Sequence, residues 1–313
     1  MKVINIHHPL NLNLIDEGPV VLAMGFFDGV HKGHQEVIKA AKKEADKLGV
    51  KLAVLTYDHH PEVVYRRLMP EDTKYITPQE RRLALLEEFG VNLVYLVNFT
   101  GSFSALSPQQ FVDQYICALH PTTVVAGFDH TYGAKDSDAD MAHLAEYAQN
   151  RFKVITVGER EQTGDKVSSS RIRDALDEGD LAKVNLLLGY TFQTKGVVVH
   201  GFARGRTIGF PTININHPED QWLPGIGIYT TRVKVGDKWV NGMASIGRNV
   251  TFGEGRPVTV EIYLLDFTGN LYGENVAIEW FTRLRGEVKF SGADALVTQL
   301  NADEEKTREF FKN

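Results

Sequence analysis

The sequence has one cysteine and no long apolar run, and both scarcities narrow the classes of protein to which it can belong. Cys117 is the single thiol among 313 residues, so no intrachain disulfide can form, which is typical of a reducing cytoplasm. No run approaches the roughly 18 apolar residues of a membrane span. The first residues, Met1–His8, lack the apolar core of a signal peptide. We therefore expect a cytoplasmic protein without a membrane partner.

An excess of positive charge is also missing. Asp and Glu number 40 against 34 Lys and Arg, a formal net charge of −6, which argues against a nucleic-acid partner. Any bound phosphate should lie in local pockets. No Cys/His cluster has zinc spacing, so we expect no structural metal. A chain of 313 residues with 43% hydrophobic content is long enough for two domains, each with its own core.

A glycine-rich segment, Gly25–His34, lies between the apolar run Val20–Met24 and a helical pattern. The helical pattern places its apolar residues on one stripe: Val37, Ala41, Ala45 and Leu48. Glycines let a backbone approach a ligand closely, and a helix start directs free N–H groups at anions. His31 and His34 fall on one face of the first turn. This layout predicts a phosphate-binding corner for a nucleotide; the alternative is a capped helix whose histidines are simply exposed.

Strand and helix patterns alternate from Val20 to about Leu188. The predicted strands are Val20–Met24, Lys51–Tyr57, Val91–Val97, Thr122–Gly127 and Lys153–Val157. Two helix starts are predicted, a capping box at Thr77–Glu80 and a similar signal at Ser107–Gln110, and further helices over Asp138–Asn150 and Asp180–Leu188. Such alternation predicts a parallel sheet covered on both faces.

Polar residues follow three of the predicted strands, in Thr56–Pro61, Gly127–Gly133 and Val167–Arg173. Ligands of parallel sheets bind at the carboxyl ends of the strands, so we expect these loops to gather at one end. The serine run that includes Ser168 suits a helix cap or a phosphate site. Each loop also has an ordinary reading, in which His60 is a solvated loop residue and Asp129 forms a local turn.

The period of the pattern changes in the second half. Strand-like runs follow one another there without helices between them: Val197–His200, Ile228–Val235, Trp239–Ser245, Val258–Asp266 and Val276–Leu284. Successive strands of this kind predict a small antiparallel barrel. Gly292–Leu300 and Ala302–Phe311 are predicted as closing helices. We place the domain boundary near Lys183, which gives domains 1–183 and 184–313.

A second glycine-rich stretch, Gly196–Asn214, opens the barrel half. Its glycines, which include Gly201 and Gly205, let the backbone wrap a polyphosphate. It is not a Walker loop, because no Gly-Lys-Ser/Thr follows. Thr212 and Asn214 alternate onto one face if the chain is extended, and both offer oxygen ligands suited to magnesium. The alternative is a flexible barrel loop in which Thr212 and Asn214 only satisfy the backbone.

The first half resembles the adenylyltransferase module of the bacterial bifunctional riboflavin kinase/FAD synthetases, nucleotidyltransferases with a paired-histidine signature. The matching stretches are Gly25–His34, Thr56–Pro61, Phe103–Ser107, Gly127–Gly133 and Ser168–Arg173. The resemblance implies a Rossmann-like α/β domain that transfers AMP from ATP to FMN with release of pyrophosphate. Such a transfer needs alignment and charge neutralisation at the α-phosphate, without a covalent intermediate.

The same resemblance implies roles for individual residues. It makes His31, His34 and Arg171 catalytic at the triphosphate, and it implies an ATP site shaped by Gly25, Phe26, Asp28, Gly33 and Ser168. It places Asp129 and His60 at the flavin, with Asp129 where flavin phosphate and magnesium meet. The chain departs from the family at His59, at His130–Tyr132 and at Ala134–Asp140, where an expected glycine is absent. These departures concern the flavin end more than the nucleotide end.

The second half resembles the riboflavin kinase module. The matching stretches include Gly196–Asn214, Gly225–Tyr229, Ser245–Gly247, Leu264–Phe267 and Leu271–Glu274. The resemblance implies ATP binding by Gly201, Gly205, Arg206 and Thr212, and magnesium binding by Thr212 and Asn214. It implies that Glu261 is the base for the ribityl hydroxyl, although a strand glutamate is otherwise usually an outward-facing residue.

The expected protein is a two-site enzyme that phosphorylates riboflavin to FMN and adenylylates FMN to FAD, with ATP as co-substrate and magnesium as cofactor. Its partners are the small molecules riboflavin, FMN and ATP, and the sequence leaves the oligomeric state open. Two alternatives stay open. One is a single-activity riboflavin kinase with a degenerate adenylyltransferase domain, and the other is a flavin-nucleotide sensor without turnover.

Overall fold

The computed structural model describes residues 1–133, 137–159, 161–162, 165–248 and 258–312. The chain divides into two compact units, Met1–Ser169 and Ser170–Asn313. The division falls in the first turn of a helix, Ser169–Glu178. The functional boundary near Lys183 stays a prediction.

The first unit is built on a six-stranded parallel sheet in the order β1–β4–β3–β2–β5–β6. The strands are β1 Lys2–Ile6, β2 Val20–Met24, β3 Lys51–Tyr57, β4 Leu93–Val97, β5 Pro121–Gly127 and β6 Lys153–Val157. The strand order reverses at β2, since β3 pairs on one side of it and β5 on the other. The carboxyl ends of β2 and β5 therefore flank the switch point at which open α/β sheets bind ligands.

Short helices and one long helix connect these strands. They are α1 Lys32–Leu48, α2 Glu62–Tyr65, α3 Gln79–Glu88, α4 Gly101–Ser104, α5 Pro108–Phe111 and α6 Leu144–Ala148, with a π turn over Val112–Ile116 and 3₁₀ turns at Leu12–Leu14, Pro70–Thr73 and Cys117–Leu119. A small antiparallel hairpin of β7 Glu161–Gln162 and β8 Asp165–Lys166 follows the sheet. α1 buries Val37, Ile38, Ala41 and Ala45, whereas Leu48 is exposed at its last turn.

The second unit contains a closed six-stranded barrel in the order β10–β13–β12–β11–β14–β9. Its elements are α7 Ser169–Glu178, α8 Leu181–Leu188, β9 Gln193–Val199, a 3₁₀ turn Arg204–Ile208, β10 Thr212–Asn216, β11 Gly227–Val235, β12 Lys238–Gly247, β13 Thr259–Leu264, β14 Asn275–Arg285 and α9 Ala293–Phe310. Neighbouring strands pair antiparallel throughout. On β13, Val260, Ile262 and Leu264 are buried, whereas Glu261 and Tyr263 alternate with them and are half-buried.

The predicted fold class, a Rossmann-like parallel sheet followed by an antiparallel barrel, is confirmed. Several elements differ from their predictions. β1 was not predicted, although its buried Ile4 and Ile6 alternate with the exposed Val3 and Asn5, as expected of a strand at a sheet edge. The helix predicted over Asp138–Asn150 covers only Leu144–Ala148, since the Asp140 carboxylate accepts the N–H groups of Ala142 and His143 in a turn. Part of the departure at Ala134–Asp140, residues 134–136, lies outside the described residues.

The C-terminal segment also differs from its prediction. The two helices expected over Gly292–Leu300 and Ala302–Phe311 form the single helix α9. Neither glycine nor proline occurs between the predicted halves, and the amide of Asn301 donates to the carbonyl of Val297 within the helix. A polar residue alone therefore did not end the helix.

Candidate functional site

A cavity of about 970 Å³ lies at the carboxyl ends of the parallel strands in the first unit. Most of the residues predicted for adenylyl transfer line it: Gly25, Phe26, His31, Gly33, His34, His60, Asp129 and Ser168. The loops after β2, β3 and β5 converge there, as the parallel topology requires. The expectation that these loops share one end of the sheet is confirmed.

The two histidines form a face-to-face pair at the start of α1. Their ring centroids are 3.6 Å apart with an interplanar angle of 14°. His31 is the N-cap of α1, and its Nδ1 accepts the backbone N–H of His34 at 3.3 Å. Since Nδ1 is an acceptor, the proton of neutral His31 lies on Nε2. The cap thus fixes the tautomer of His31 and leaves an N–H donor on the other side of its ring.

Both histidines are neutral in this environment. Burial lowers the pKa of His31 from 6.5 to about 4; the nearby Asp129 carboxylate raises it and the Lys166 ammonium lowers it, both more weakly than burial. Burial also lowers the pKa of His34 well below its ordinary value, and the neighbouring His31 and Arg82 lower it further. Neutral imidazoles donate hydrogen bonds without repelling each other, so the stacked pair is stable only as a pair of uncharged donors.

The neutral pair makes stability depend on pH. The pKa of His31 is lower in the folded protein than in the unfolded chain. Between pH 6.5 and about 4 the unfolded chain therefore binds a proton that the folded protein does not, and the free energy of unfolding decreases as the pH is lowered. This group alone costs at most roughly 3 kcal/mol over that window. His31→Asn keeps an N-cap oxygen but does not titrate. We expect its thermal unfolding, followed by circular dichroism from pH 7.5 to 4.5, to depend less on pH than wild type. Parallel curves would contradict the neutral cap.

Gly33 is required by the position of the His31 ring. A Cβ at residue 33 would lie 3.1 Å from Cε1 and 3.2 Å from Nδ1 of that ring. These contacts are tighter than ordinary van der Waals separation, so a larger residue would push the His31 ring by a few tenths of an ångström. The glycine therefore serves the histidine pair directly, in addition to opening the helix start.

Asp28 does not line the cavity; it is 2% exposed and holds the glycine-rich turn from within. Its carboxylate accepts the backbone N–H groups of Ile76 and Thr77 at 3.3 and 3.0 Å. The Thr77 hydroxyl accepts the N–H of Gly29 at 2.8 Å. The predicted capping box at Thr77 is therefore wrong: α3 has Pro78 at its N-cap without a side-chain cap bond, because the Thr77 hydroxyl is used by the turn.

The cavity changes character away from the histidines. Its far side carries an aromatic lining: Tyr57, Tyr65, Phe99, Phe103, Phe111 and Tyr132. Phe99 and Phe103 meet edge to face with centroids 5.4 Å apart, and Phe111 stacks on Tyr132 at 5.6 Å. A polar corner joined to an aromatic lining is the composition of a site for a ligand with a charged tail and a flat ring system.

A charged pair, Lys166 and Asp129, also lines the cavity. The Lys166 ammonium is 2.5 Å from Oδ2 of Asp129 and 4.7 Å from the centroid of the Phe128 ring. His60 meets the ring of Phe26 edge to face at 5.0 Å. The departure at residue 130 places a histidine whose Nε2 is buried without a hydrogen-bond partner, and burial lowers the pKa of His130 to about 4.

Two predicted residues at the α7 start have different positions. Ser168 lines the cavity, and the hydroxyl of the neighbouring Ser169 donates to the carbonyl of Asp28 at 3.0 Å. Arg171 belongs to the second compact unit. Its catalytic role therefore stays a prediction.

Sequence reasoning missed two cations of the first unit, Arg82 and Lys166. Arg82 is 2% exposed, and its guanidinium donates to the carbonyls of Phe26 at 3.0 Å and Tyr57 at 2.6 Å. A signal for it exists, since Arg82 lies three and four residues before the buried Leu85 and Leu86 on one stripe of α3. A charged residue on an apolar stripe indicates a buried polar function.

The barrel carries the second set of predicted residues on its outer face. Asn214 of β10 is directly opposite Glu261 of β13. The hydroxyl of Thr212, two residues before Asn214, donates to Oε2 of Glu261 at 3.1 Å. β10 is extended, which is the condition under which Thr212 and Asn214 share a face, and the three side chains lie on one face.

The glycines of the second glycine-rich stretch pack closely against this face. A Cβ at Gly201 would lie 2.2 Å from Nδ2 of Asn214, and one at Gly205 would lie 2.0 Å from the carbonyl oxygen of Phe210. Arg206 donates to the Tyr272 hydroxyl at 2.9 Å, and the Tyr272 ring stacks on His200 at 3.7 Å. The stretch therefore packs closely beside Asn214, and the Thr212 side chain bonds to Glu261 rather than to the backbone.

Clusters of metal-ligating side chains are absent from the described part of the chain. Across the residues that the structure describes, no group of three or more His, Cys, Asp and Glu side chains could hold a metal ion. The Thr212–Asn214–Glu261 face offers a hydroxyl, an amide oxygen and one carboxylate. The hydroxyl and the amide oxygen are hard donors that fit Mg²⁺ completed by substrate phosphates and water, which leaves the Glu261 carboxylate for another role.

Two family models match the chain in the order of its two units. FAD synthetase matches residues 15–171, and riboflavin kinase matches residues 188–311. A bifunctional riboflavin kinase/FMN adenylyltransferase of Listeria monocytogenes is 47% identical over 99% of this chain and 98% of its own length. The Bacillus subtilis enzyme of the same description is 40% identical over 100% and 99%.

A solved structure supports the fold. A crystal structure described as a macrolide-efflux protein from Streptococcus pneumoniae is 37% identical, with a TM-score of 0.89 over 97% of this chain and 99% of that one. In the part of this chain that the structure describes, no helix has the length and hydropathy to cross a bilayer. With both family models and full-length relatives in agreement, the chain belongs to the family of bifunctional riboflavin kinases/FMN adenylyltransferases.

Proposed function

We propose that the barrel unit phosphorylates riboflavin to FMN and that the parallel-sheet unit transfers AMP from ATP to FMN, giving FAD and pyrophosphate. The observation that carries the proposal is the cavity that joins the His31–His34 pair to an aromatic lining. Its volume of about 970 Å³ is at the upper end of ligand pockets, consistent with two substrates side by side. We place the functional boundary near Lys183, between the two matched segments.

Adenylyl transfer in the first unit needs donors rather than a base. The attacking group is an FMN phosphate oxygen, which is already ionised at neutral pH, and the P–O bond to pyrophosphate breaks as the new one forms. The Nε2–H of neutral His31 donates to phosphate oxygens that gain charge, and the stacked His34 acts beside it. The positive end of the α1 dipole adds to the same field.

The aromatic lining is the proposed flavin end. Flat rings pack against the edges and faces of Phe99, Phe103 and Phe111. Asp129 and His60 line the same cavity and are the proposed contacts for the ribityl phosphate. Lys166 neutralises Asp129 and provides a cation for that phosphate.

Phosphoryl transfer in the barrel needs one base and aligned phosphates. Glu261 accepts the proton of the terminal ribityl hydroxyl as its oxygen attacks the γ-phosphorus, and ADP leaves. Thr212 already donates to the Glu261 carboxylate, which fixes its orientation. The proposed binding surface for the ATP phosphates is formed by Gly201, Gly205 and Arg206. Thr212 and Asn214 are the proposed magnesium ligands, and the ion supplies charge neutralisation at the phosphates when bound.

A product assay tests both activities. The protein is incubated with riboflavin, ATP and MgCl₂, and the flavins are separated by chromatography while ADP and pyrophosphate are quantified. We expect FMN to appear first and FAD to follow, each in step with its own phosphate product. FMN without FAD would indicate a single-activity kinase. Tight flavin binding without ATP consumption would indicate a sensor and contradict the proposal.

A further inference from the structure

Arg82 is a buried cation directly behind the nucleotide corner. Its guanidinium is 2% exposed, on a helix stripe otherwise occupied by Leu85 and Leu86. A buried charge is costly unless hydrogen bonds and neighbouring charges offset the lost hydration. An apolar side chain at residue 82 would serve the core of α3 better, so the arginine needs a reason other than packing.

The bonds of Arg82 identify that reason. Its terminal nitrogens donate to the carbonyls of Phe26 and Tyr57 at 3.0 and 2.6 Å. Phe26 lies in the glycine-rich turn just after β2, and Tyr57 is the last residue of β3. Both carbonyls therefore mark the carboxyl ends of adjacent parallel strands, and both residues line the cavity. One planar guanidinium ties the two strand ends together with a fixed spacing.

The Phe26 side chain completes the contact. The Arg82 guanidinium carbon lies 4.7 Å from the centroid of the Phe26 ring, a cation–π distance. In return, Asp28 of the same turn accepts the N–H groups of Ile76 and Thr77 just before α3. The turn and α3 thus hold each other through a buried acid on one side and a buried base on the other.

We propose that Arg82 is a positioning residue for adenylyl transfer, which holds the glycine-rich turn in the shape that presents His31 and His34 to the triphosphate. The inference rests on the proposed function of the first unit. Arg82 touches no reacting atom; it acts through the Phe26 and Tyr57 carbonyls. A displacement of about 1 Å in such a support costs as much as about 100-fold in rate.

The test uses the full chain and two arginines of one helix. Arg82→Met removes the guanidinium that donates to both carbonyls. Arg82→Lys keeps the charge, but its ammonium reaches one carbonyl at a time. Arg81→Met is the matched control. Arg81, whose side chain is 24% exposed, donates to the exposed Glu88 at 3.0 Å, and an ion pair with one exposed partner contributes little. For each variant, kcat and KM are measured for FAD formation from FMN and ATP, and riboflavin phosphorylation is measured in the same preparation.

We expect Arg82→Met to lower kcat for FAD formation by about 100-fold with the KM for FMN within about threefold of wild type. Arg82→Lys should recover about tenfold of that loss, because it restores one donor and the charge. Arg81→Met and the kinase activity of every variant should stay near wild type. Arg82→Met at the wild-type rate would overturn the inference, as would a loss confined to KM.

Two further results separate an unfolded variant, and failure of the proposed function, from failure of the inference about Arg82. If Arg82→Met unfolds the first unit, shown by a lost thermal transition with kinase activity retained, Arg82→Lys decides: a wild-type kcat in that variant overturns the inference. If the wild-type protein itself makes no FAD from FMN, the proposed function fails first.

Discussion

Glu261→Gln is expected to lower the rate of riboflavin phosphorylation by about 10²–10⁴-fold, because an amide cannot take the proton of the ribityl hydroxyl. The amide keeps the size of the side chain, and its oxygen can still accept the hydrogen bond from the Thr212 hydroxyl, so the barrel should remain folded. FAD formation from supplied FMN should stay at the wild-type rate, since Glu261 does not line the cavity of the first unit.

The measurement is the initial rate of each step with its own substrate, riboflavin for one and FMN for the other. Glu305→Gln, on the exposed side of α9, is the control for the same change of charge in the same unit. An equal loss of both activities would contradict the division of labour between the units. An undiminished kinase rate would remove Glu261 from the role of base.

His31→Ala is expected to have the opposite selectivity and to lower FAD formation by about 10²–10³-fold, the usual cost of removing one preorganised transition-state donor. The substitution also removes the N-cap of α1, which costs about 1 kcal/mol of stability. His31→Asn separates these effects, because asparagine restores the cap but not the imidazole Nε2–H.

Riboflavin phosphorylation serves as the internal control for both His31 variants, and His7→Ala controls for loss of an exposed histidine from the same unit. We expect kcat for FAD formation to fall in both His31 variants while His7→Ala resembles wild type. Full activity in His31→Asn would reduce the role of the histidine to helix capping. A fall in the kinase rate instead would reverse the assignment of the two sites.

Local patterns were sufficient to predict the central elements. β2, the glycine-rich turn and α1 are encoded within about thirty adjacent residues, where apolar run, glycines and helical period agree. The histidine pair was predictable because three-residue spacing on a helix start brings two side chains to one face. The barrel followed from strand runs without helices between them, and its closure is confirmed.

Contacts between distant segments could not be predicted in the same way. Thr77 has every local sign of a helix cap, yet its hydroxyl is used by Gly29, forty-eight residues away in the chain. The bonds of Arg82 to Phe26 and Tyr57 and the pairing of Lys166 with Asp129 join segments that no periodicity relates. Sequence patterns therefore located the phosphate-binding segments, whereas the supports behind them required the fold.

The alternation along β13 places the residues that stabilise the barrel and the residue proposed for catalysis on opposite faces of one strand. Val260, Ile262 and Leu264 fill the barrel, whereas the intervening Glu261 faces Thr212 and Asn214 outside it. Substitutions on the outer face should thus abolish turnover without melting the protein. Such folded but inactive variants suit crystallisation with riboflavin and ATP bound together, because the hydroxyl proton is not removed and the substrates do not react.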